Sequence, residues 1–318
     1  MVVVNANLKS SITRERQFIS SGCRVPFKAD VYCKDPGLLL AVAGLIRSGL
    51  DDISMLSRMT YVLFKPDSFY EKKAMVALQF FIDHGYRIHR YETLTLSEQQ
   101  VFSLWRYQWN RATTTRMKAS VVIATCGPSV VACLRSTDDA KTTVPASVRL
   151  WASKGSAFIE NRRDDSLRAR LGVNGRYFGY VHIPDEPIDV VRELGIVLGV
   201  SKAKAWLSAI ESHHDENAAP ALVTELLRLE KLYESLAKPR RATRSHTDTT
   251  KARVDPDEQV LDRLVAVTTS MKNGGSAVLS KRQWNSLKEI VVRILDNIEG
   301  ESPIVGSGEI PDPAVLWS

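Results

Sequence analysis

Between Thr60 and Gly199 the sequence alternates short apolar runs of strand type with longer stretches of helical period, and this alternation limits the architectures open to the chain. YVLFKP is an apolar run closed by Pro66. From Tyr70 to His84, Ala74, Met75, Leu78, Phe81 and Ile82 recur at three- and four-residue steps, the spacing that puts side chains on one face of a helix, and Gly85 supplies a stop. YRIHRYETLTL alternates as a strand does, and Ser97 followed by Gln100 forms a capping box that opens the next helix. SVVIATCGPSVVACLRS reads as two β-rich pieces about Gly127-Pro128, a bent strand or a strand pair. After an irregular basic stretch, GYVHIP is a short strand and IDVVRELGIVLG a helix that opens near Pro187 and closes at Gly199.

The order β-α-β-α-β-β-α predicts an α+β fold, a ferredoxin-like antiparallel sheet with helices on one face, plus a helical C-terminal extension. A chain of 318 residues, 44% of them hydrophobic, is long enough for a sizeable core and for more than one structural unit. The flanks divide accordingly. Residues 1–58 form a partly helical N-terminal extension in which GLLLAVAGLIRSGL is a short buried helix packed on the domain of residues 59–199. Beyond Gly199 the pattern is helical, with apolar stripes over Ala203 to Ile210, Leu222 to Leu236, Val260 to Met271 and Trp284 to Ile298. Residues 200–237 are read as a helical extension and 238–256 as a basic flexible linker. Residues 257–318 are read as a C-terminal helical region with an extended tail.

Composition excludes several classes. MVVVNANLKSSITRER does not pair a basic segment with an apolar one and a cleavage site, and the longest apolar run, Leu38 to Ile46, falls short of the roughly 20 residues of a membrane span. A soluble, cytoplasmic protein without a membrane partner is expected. Cys23, Cys33, Cys126 and Cys133 show no CxxC pair and no Cys/His cluster, so neither a metal site nor a disulfide framework is predicted. The net charge of +7 is concentrated in Lys238 to Arg253, where six basic residues face the single Asp248, so a globular nucleic-acid-binding face is not expected. His213-His214, beside Asp215 and Glu216, reads as a polar helix end, and Trp105 and Trp109, four residues apart on one helix face, read as core.

Four segments, YVLFKPD from Tyr61, GYRI from Gly85 with LSEQQ from Leu96, CGPSVVACL from Cys126, and SLRARLGVNGRYFGYVHIPDEPIDVVREL from Ser166, resemble the nucleoside-diphosphate kinase family in order. The resemblance covers about 140 residues. In the last segment the family has a Thr-Ile-Arg turn, a Gly-Arg-Asn, a catalytic His followed by Gly-Ser-Asp, and a Glu eleven positions after that His. Ser166-Leu167-Arg168, Gly175-Arg176-Tyr177, His182 with Asp185, and Glu193 fall in those places.

The resemblance implies a phosphotransferase that moves the terminal phosphate of ATP or another nucleoside triphosphate, with Mg²⁺, through a phosphohistidine. His182 would be the nucleophile, Glu193 would orient it, Lys65 would contact phosphate and ribose, and Arg168 would clamp phosphate. Arg149, Asn174 and Arg176 complete the implied nucleotide contacts, and a homo-oligomer is implied as partner. An imidazole that accepts and passes on a phosphoryl group divides one transfer into two in-line steps, and cations must surround the charge that spreads in each. The sequence departs from the pattern at Tyr177, where the family has Asn, and at Pro184, where it has Ser; Trp105 stands at the family's base-stacking Tyr. The acceptor is therefore read as a nucleotide, a specialised small molecule or a protein. The alternative is an inactive nucleotide-binding or regulatory module that uses the same pocket.

Overall fold

The computed structural model of the protein describes residues 13–25, 27–109, 112–138, 143–173, 178–212, 216–236 and 278–296, with residues 262, 265 and 317. Its centre is a four-stranded sheet of β1 (Met59–Phe64), β2 (Tyr86–Leu94), β3 (Ser129–Ser136) and β4 (Val181–His182), in the order β2-β3-β1-β4. Every neighbouring pair is antiparallel, which is the ferredoxin-like arrangement expected from the element order. The helices are α1 (13–21), α2 (Lys28–Tyr32), α3 (Pro36–Ile46), α4 (Ile53–Ser57), α5 (Pro66–Tyr70), α6 (Ala74–Asp83) and α7 (Glu98–Leu104) in the first half. They continue with α8 (Thr114–Thr125), α9 (Ala146–Lys154), α10 (Leu167–Arg170), α11 (Pro187–Leu198), α12 (Val200–Ser212), α13 (Ala219–Leu236) and α14 (Lys281–Asp296).

Helices cover both faces of the sheet, where one face was expected. The cause lies in β1 and β3, which are buried at nearly every position and carry the apolar runs YVLF and VVACL, so that alternate side chains present apolar surface on each side and both sides must be kept from water. Val62, Phe64, Val130, Ala132 and Leu134 pack with α6, α13 and α14 through side chains such as Phe81, Leu226, Tyr233 and Trp284. Met59, Tyr61, Leu63, Val131 and Cys133 pack with α3, α11 and α12 through Val42, Leu194 and Leu207. The N-terminal helix predicted in GLLLAVAGLIRSGL is α3. Asp35 caps it by accepting from the backbone N–H of Gly37 and Leu38, and Pro36 fixes the first turn. The capping box at Ser97 and Gln100 opens α7 as predicted.

The first half of SVVIATCGPSVVACLRS is not a strand. It is the end of α8, capped by Thr113, and only the second half is a strand, β3. The β-branched residues of VVI are outweighed by a helical stripe, Ala119, Val122, Ile123 and Cys126, that enters one core while Val121 and Ala124 enter the other. The helices after Gly199 share these cores. Gly127 lets α13 approach the turn before β3, because a Cβ there would lie 2.2 Å from Tyr233 Oη, which donates to Pro128 O at 2.8 Å. The linker of residues 238–256, most of 257–277 and the tail from residue 297 lie outside the described residues, Trp317 excepted. Among the described residues no helix is long and apolar enough to cross a membrane.

Candidate functional site

The site forms where β1 ends. Lys65 is extended and caps α5, whose first position is Pro66. Its backbone N–H donates to Tyr180 O at 3.0 Å, and Asp67 Oδ2 accepts from Tyr180 N at 3.0 Å and from Lys65 Nζ at 3.2 Å. Tyr180 has φ 58, a left-handed conformation that a bulky residue keeps only when its surroundings hold it, at a cost of roughly 1–3 kcal/mol. Bonds to Lys65 and Asp67 on both sides of its peptide provide that hold. Burial pushes the Asp67 carboxyl up, and Lys65 and the Tyr180 N–H oppose the shift. The Lys-Pro-Asp segment thus anchors the chain two residues before His182, which pairs with Leu63 on the neighbouring strand.

His182 is held at both ring nitrogens. Nε2 lies 2.9 Å from Glu193 Oε2, and the same oxygen accepts the Tyr61 hydroxyl at 2.7 Å. A carboxylate only accepts, so Nε2 carries the proton and the lone pair of the neutral ring is on Nδ1. Trp105 Nε1 donates to that Nδ1 at a long 3.4 Å, with the indole edge-on to the imidazole at 82°. Glu193 reaches this position from α11, which Pro187 and a Glu186–Asp189 capping box start. Burial, then Glu193, pushes the Tyr61 phenol well above its ordinary range, which keeps it a donor.

His182 lines a cleft of about 780 Å³, in the size range of small-molecule sites. Among the described residues, Lys65, Arg116, Lys154, Arg163 and Arg168 line it against one carboxylate, Asp185, and Trp105, Trp109 and Trp151 form aromatic wall. Burial pushes the Arg168 guanidinium, which donates to Gly155 O, down to about 10, with Arg162 adding to the shift. Lys154 is 9% exposed and has no hydrogen-bond or ion-pair partner among the described residues. Burial pushes its amine down to about 7, Arg168 and Lys65 add to the shift, and Asp185 and Glu193 oppose it. The Asp185 carboxyl is pushed up, first by burial, with Lys28 and Lys154 opposing. Such a lining suits a polyanion with a flat ring attached.

Of the residues singled out in the sequence, Lys65, Arg168 and His182 line this cleft and Glu193 stands behind His182. Arg149 does not reach it. Its guanidinium donates to Ser136 Oγ at 2.6 Å, at the end of β3 remote from Val130, which pairs with Phe64. Asn174, Arg176 and Tyr177, like His213, His214 and Asp215, lie outside the described residues. Trp105 and Trp109 are half-buried: they pack against the core, as read from the sequence, and also line the cleft. The sequence reading did not single out Lys154 or Tyr61. Lys154 precedes the helix-stopping Gly155, an ordinary place for a solvated lysine, and Tyr61 sits in an apolar run. Among the described residues no group of three or more His, Cys, Asp or Glu side chains is placed to hold a metal ion by itself.

No protein-family model and no curated protein matches the sequence. The fold is similar to solved nucleoside diphosphate kinases. That of Aquifex aeolicus is 21% identical over 44% of this chain and 94% of that one, with a TM-score of 0.36. That of Encephalitozoon cuniculi is 13% identical over 45% and 89%, with a TM-score of 0.37. A halophilic one from Halobacterium salinarum, in complex with CDP, is 15% identical over 40% and 76%, with a TM-score of 0.32. At these identities the likeness is one of fold alone.

Proposed function

We propose that the protein is a phosphotransferase that moves the terminal phosphate of a nucleoside triphosphate through His182. The observation that carries the reading is an imidazole with Nε2 bonded to Glu193, in a cleft that His182 lines together with Lys65, Lys154 and Arg168. In the first step the Nδ1 lone pair attacks the terminal phosphorus in line. The bond from phosphorus to the bridging oxygen breaks, and its electron pair leaves with the nucleoside diphosphate. Glu193, held by Tyr61, keeps the Nε2 proton and balances the charge that the ring acquires. In the second step an acceptor oxygen attacks the phosphohistidine and restores the imidazole. Lys65 and Arg168 stabilise the spreading charge on the equatorial oxygens, while Trp109 and Trp151 offer apolar wall to a base. Mg²⁺, carried in by the phosphates, would neutralise phosphate charge.

One observation favours a second reading, a nucleotide-binding module without turnover: the indole N–H of Trp105 occupies the lone pair that would attack. The long contact is weak, and an entering phosphoryl group displaces it under the first reading. Incubation with γ-labelled ATP and Mg²⁺ separates the two. Acid-labile, base-stable label on the wild type, absent in His182→Ala with nucleotide affinity within a few-fold, supports transfer. Nucleotide binding without label on the wild type leaves the binding module, and no nucleotide binding defeats both.

A further inference from the structure

Lys154 is the last residue of α9, and the next residue, Gly155, has φ 83 and no room for a Cβ, which would lie 2.4 Å from Ser166 Cβ. Ser166 caps α10 through the backbone N–H of Ala169, and Arg168 on α10 donates to Gly155 O. These contacts fasten the end of α9 to the start of α10 and set two cations side by side on one wall of the cleft. Arg168 has a carbonyl to bind; Lys154, more than nine-tenths buried, has no polar partner among the described residues. A buried ammonium without an acceptor is unfavourable, and it becomes favourable when an anion enters. We propose that Lys154 is a specificity-determining residue that binds the terminal phosphate of the ligand and takes up a proton as it does so.

This rests on the phosphate-binding part of the function proposed above. The groups that face Lys154 are Arg168 on α10, Lys65 at the end of β1, Asp185 after β4 and Glu193 on α11. Burial and the two cations bring the empty-site amine to about 7, so above neutral pH it is mostly unprotonated. A terminal phosphate reverses that balance by adding negative charge and acceptor oxygens where there were none. The ligands selected are those that end in a multiply charged phosphate: nucleoside polyphosphates and inorganic polyphosphates alike. A nucleoside without phosphate gains nothing from this residue.

Titration calorimetry at pH 8, in two buffers of different ionisation enthalpy, tests the proposal with Mg-ATP and with inorganic tripolyphosphate. The wild type should take up close to one proton per ligand in excess of Lys154→Met, and Lys154→Met should bind at least ten-fold more weakly. Lys154→Arg, always charged, should bind within a few-fold of wild type without that uptake. Undiminished uptake in Lys154→Arg overturns the proposal even if Lys154→Met does not fold. Lysine-dependent uptake with tripolyphosphate, with no label from ATP on His182, sustains the proposal and removes the phosphotransferase reading. Label on His182 with equal uptake in wild type and variant does the reverse, and no binding of either anion overturns both.

Discussion

Replacing Tyr61 with Phe removes one oxygen and keeps the ring in its place in the core. The hydroxyl it removes donates at 2.7 Å to Glu193 Oε2, the oxygen that also bonds His182 Nε2. Both side chains are buried, so water cannot readily replace the lost donor, and a hydrogen bond to a charged group contributes about 1.5–3 kcal/mol. The melting temperature should therefore fall by roughly 2–4 °C for each kcal/mol lost. Tyr61 does not line the cleft, so the affinity for Mg-ATP should be unchanged. The rate of phosphohistidine formation should fall about ten-fold, equivalent to about 1.4 kcal/mol of the stabilisation that a fixed carboxylate gives the ring. Single-turnover labelling with γ-labelled ATP measures that rate, and thermal denaturation measures the stability. Glu193→Gln and the double variant complete a cycle whose coupling should be about 0.5–3 kcal/mol. Wild-type stability with wild-type labelling in Tyr61→Phe, or strict additivity in the cycle, would refute the positioning argument.

Three further outcomes are expected. Arg168→Ala should weaken Mg-ATP binding about ten- to a hundred-fold by calorimetry, through loss of a charge-assisted contact of about 1.5–3 kcal/mol. Gly127→Ala should cost about 1–3 kcal/mol in urea denaturation, because the new methyl must displace Tyr233 and with it the seat of α13. The third concerns pH: since the Lys154 amine lies near 7 in the folded protein against 10.5 as its ordinary value, the unfolded chain binds the extra proton between those values. The ligand-free protein should gain stability from about pH 7 to about pH 10, and Lys154→Met should flatten that rise in denaturant melts.

Much of the fold was legible because it is local. YVLFKP, with a proline that ends a strand and starts a helix, and Ser97 with Gln100 each fix an element from a few adjacent residues. Two of the misread features depend on what lies opposite. VVI in α8 favours a strand by residue type, and only the stripe of Ala119, Val122, Ile123 and Cys126 marks the helix. The apolar runs within β1 and β3 signal a sheet buried on both faces, with α3, α11 and α12 supplying one layer and α6, α13 and α14 the other. Tyr61 could not be singled out from its neighbours, since its hydroxyl matters through Glu193, 132 residues away.

The site divides along the same line, and α9 shows why. A helix turns about 100° per residue, so Arg149 and Lys154, five apart, point about 140° away from each other. Only one of them can face the cleft. In the sequence this stretch reads as irregular and basic, and it is the family resemblance that singles out Arg149. The choice is made by Gly155, which ties the end of α9 to Ser166 and Arg168 and turns Lys154 inward, while Arg149 meets Ser136. A lysine so placed differs chemically from an arginine, because it can lose its proton when the cleft is empty and regain it when phosphate arrives. Under the proposed role of Lys154, the place that the family resemblance gives to the fixed charge of Arg149 is taken by a charge that responds to its ligand.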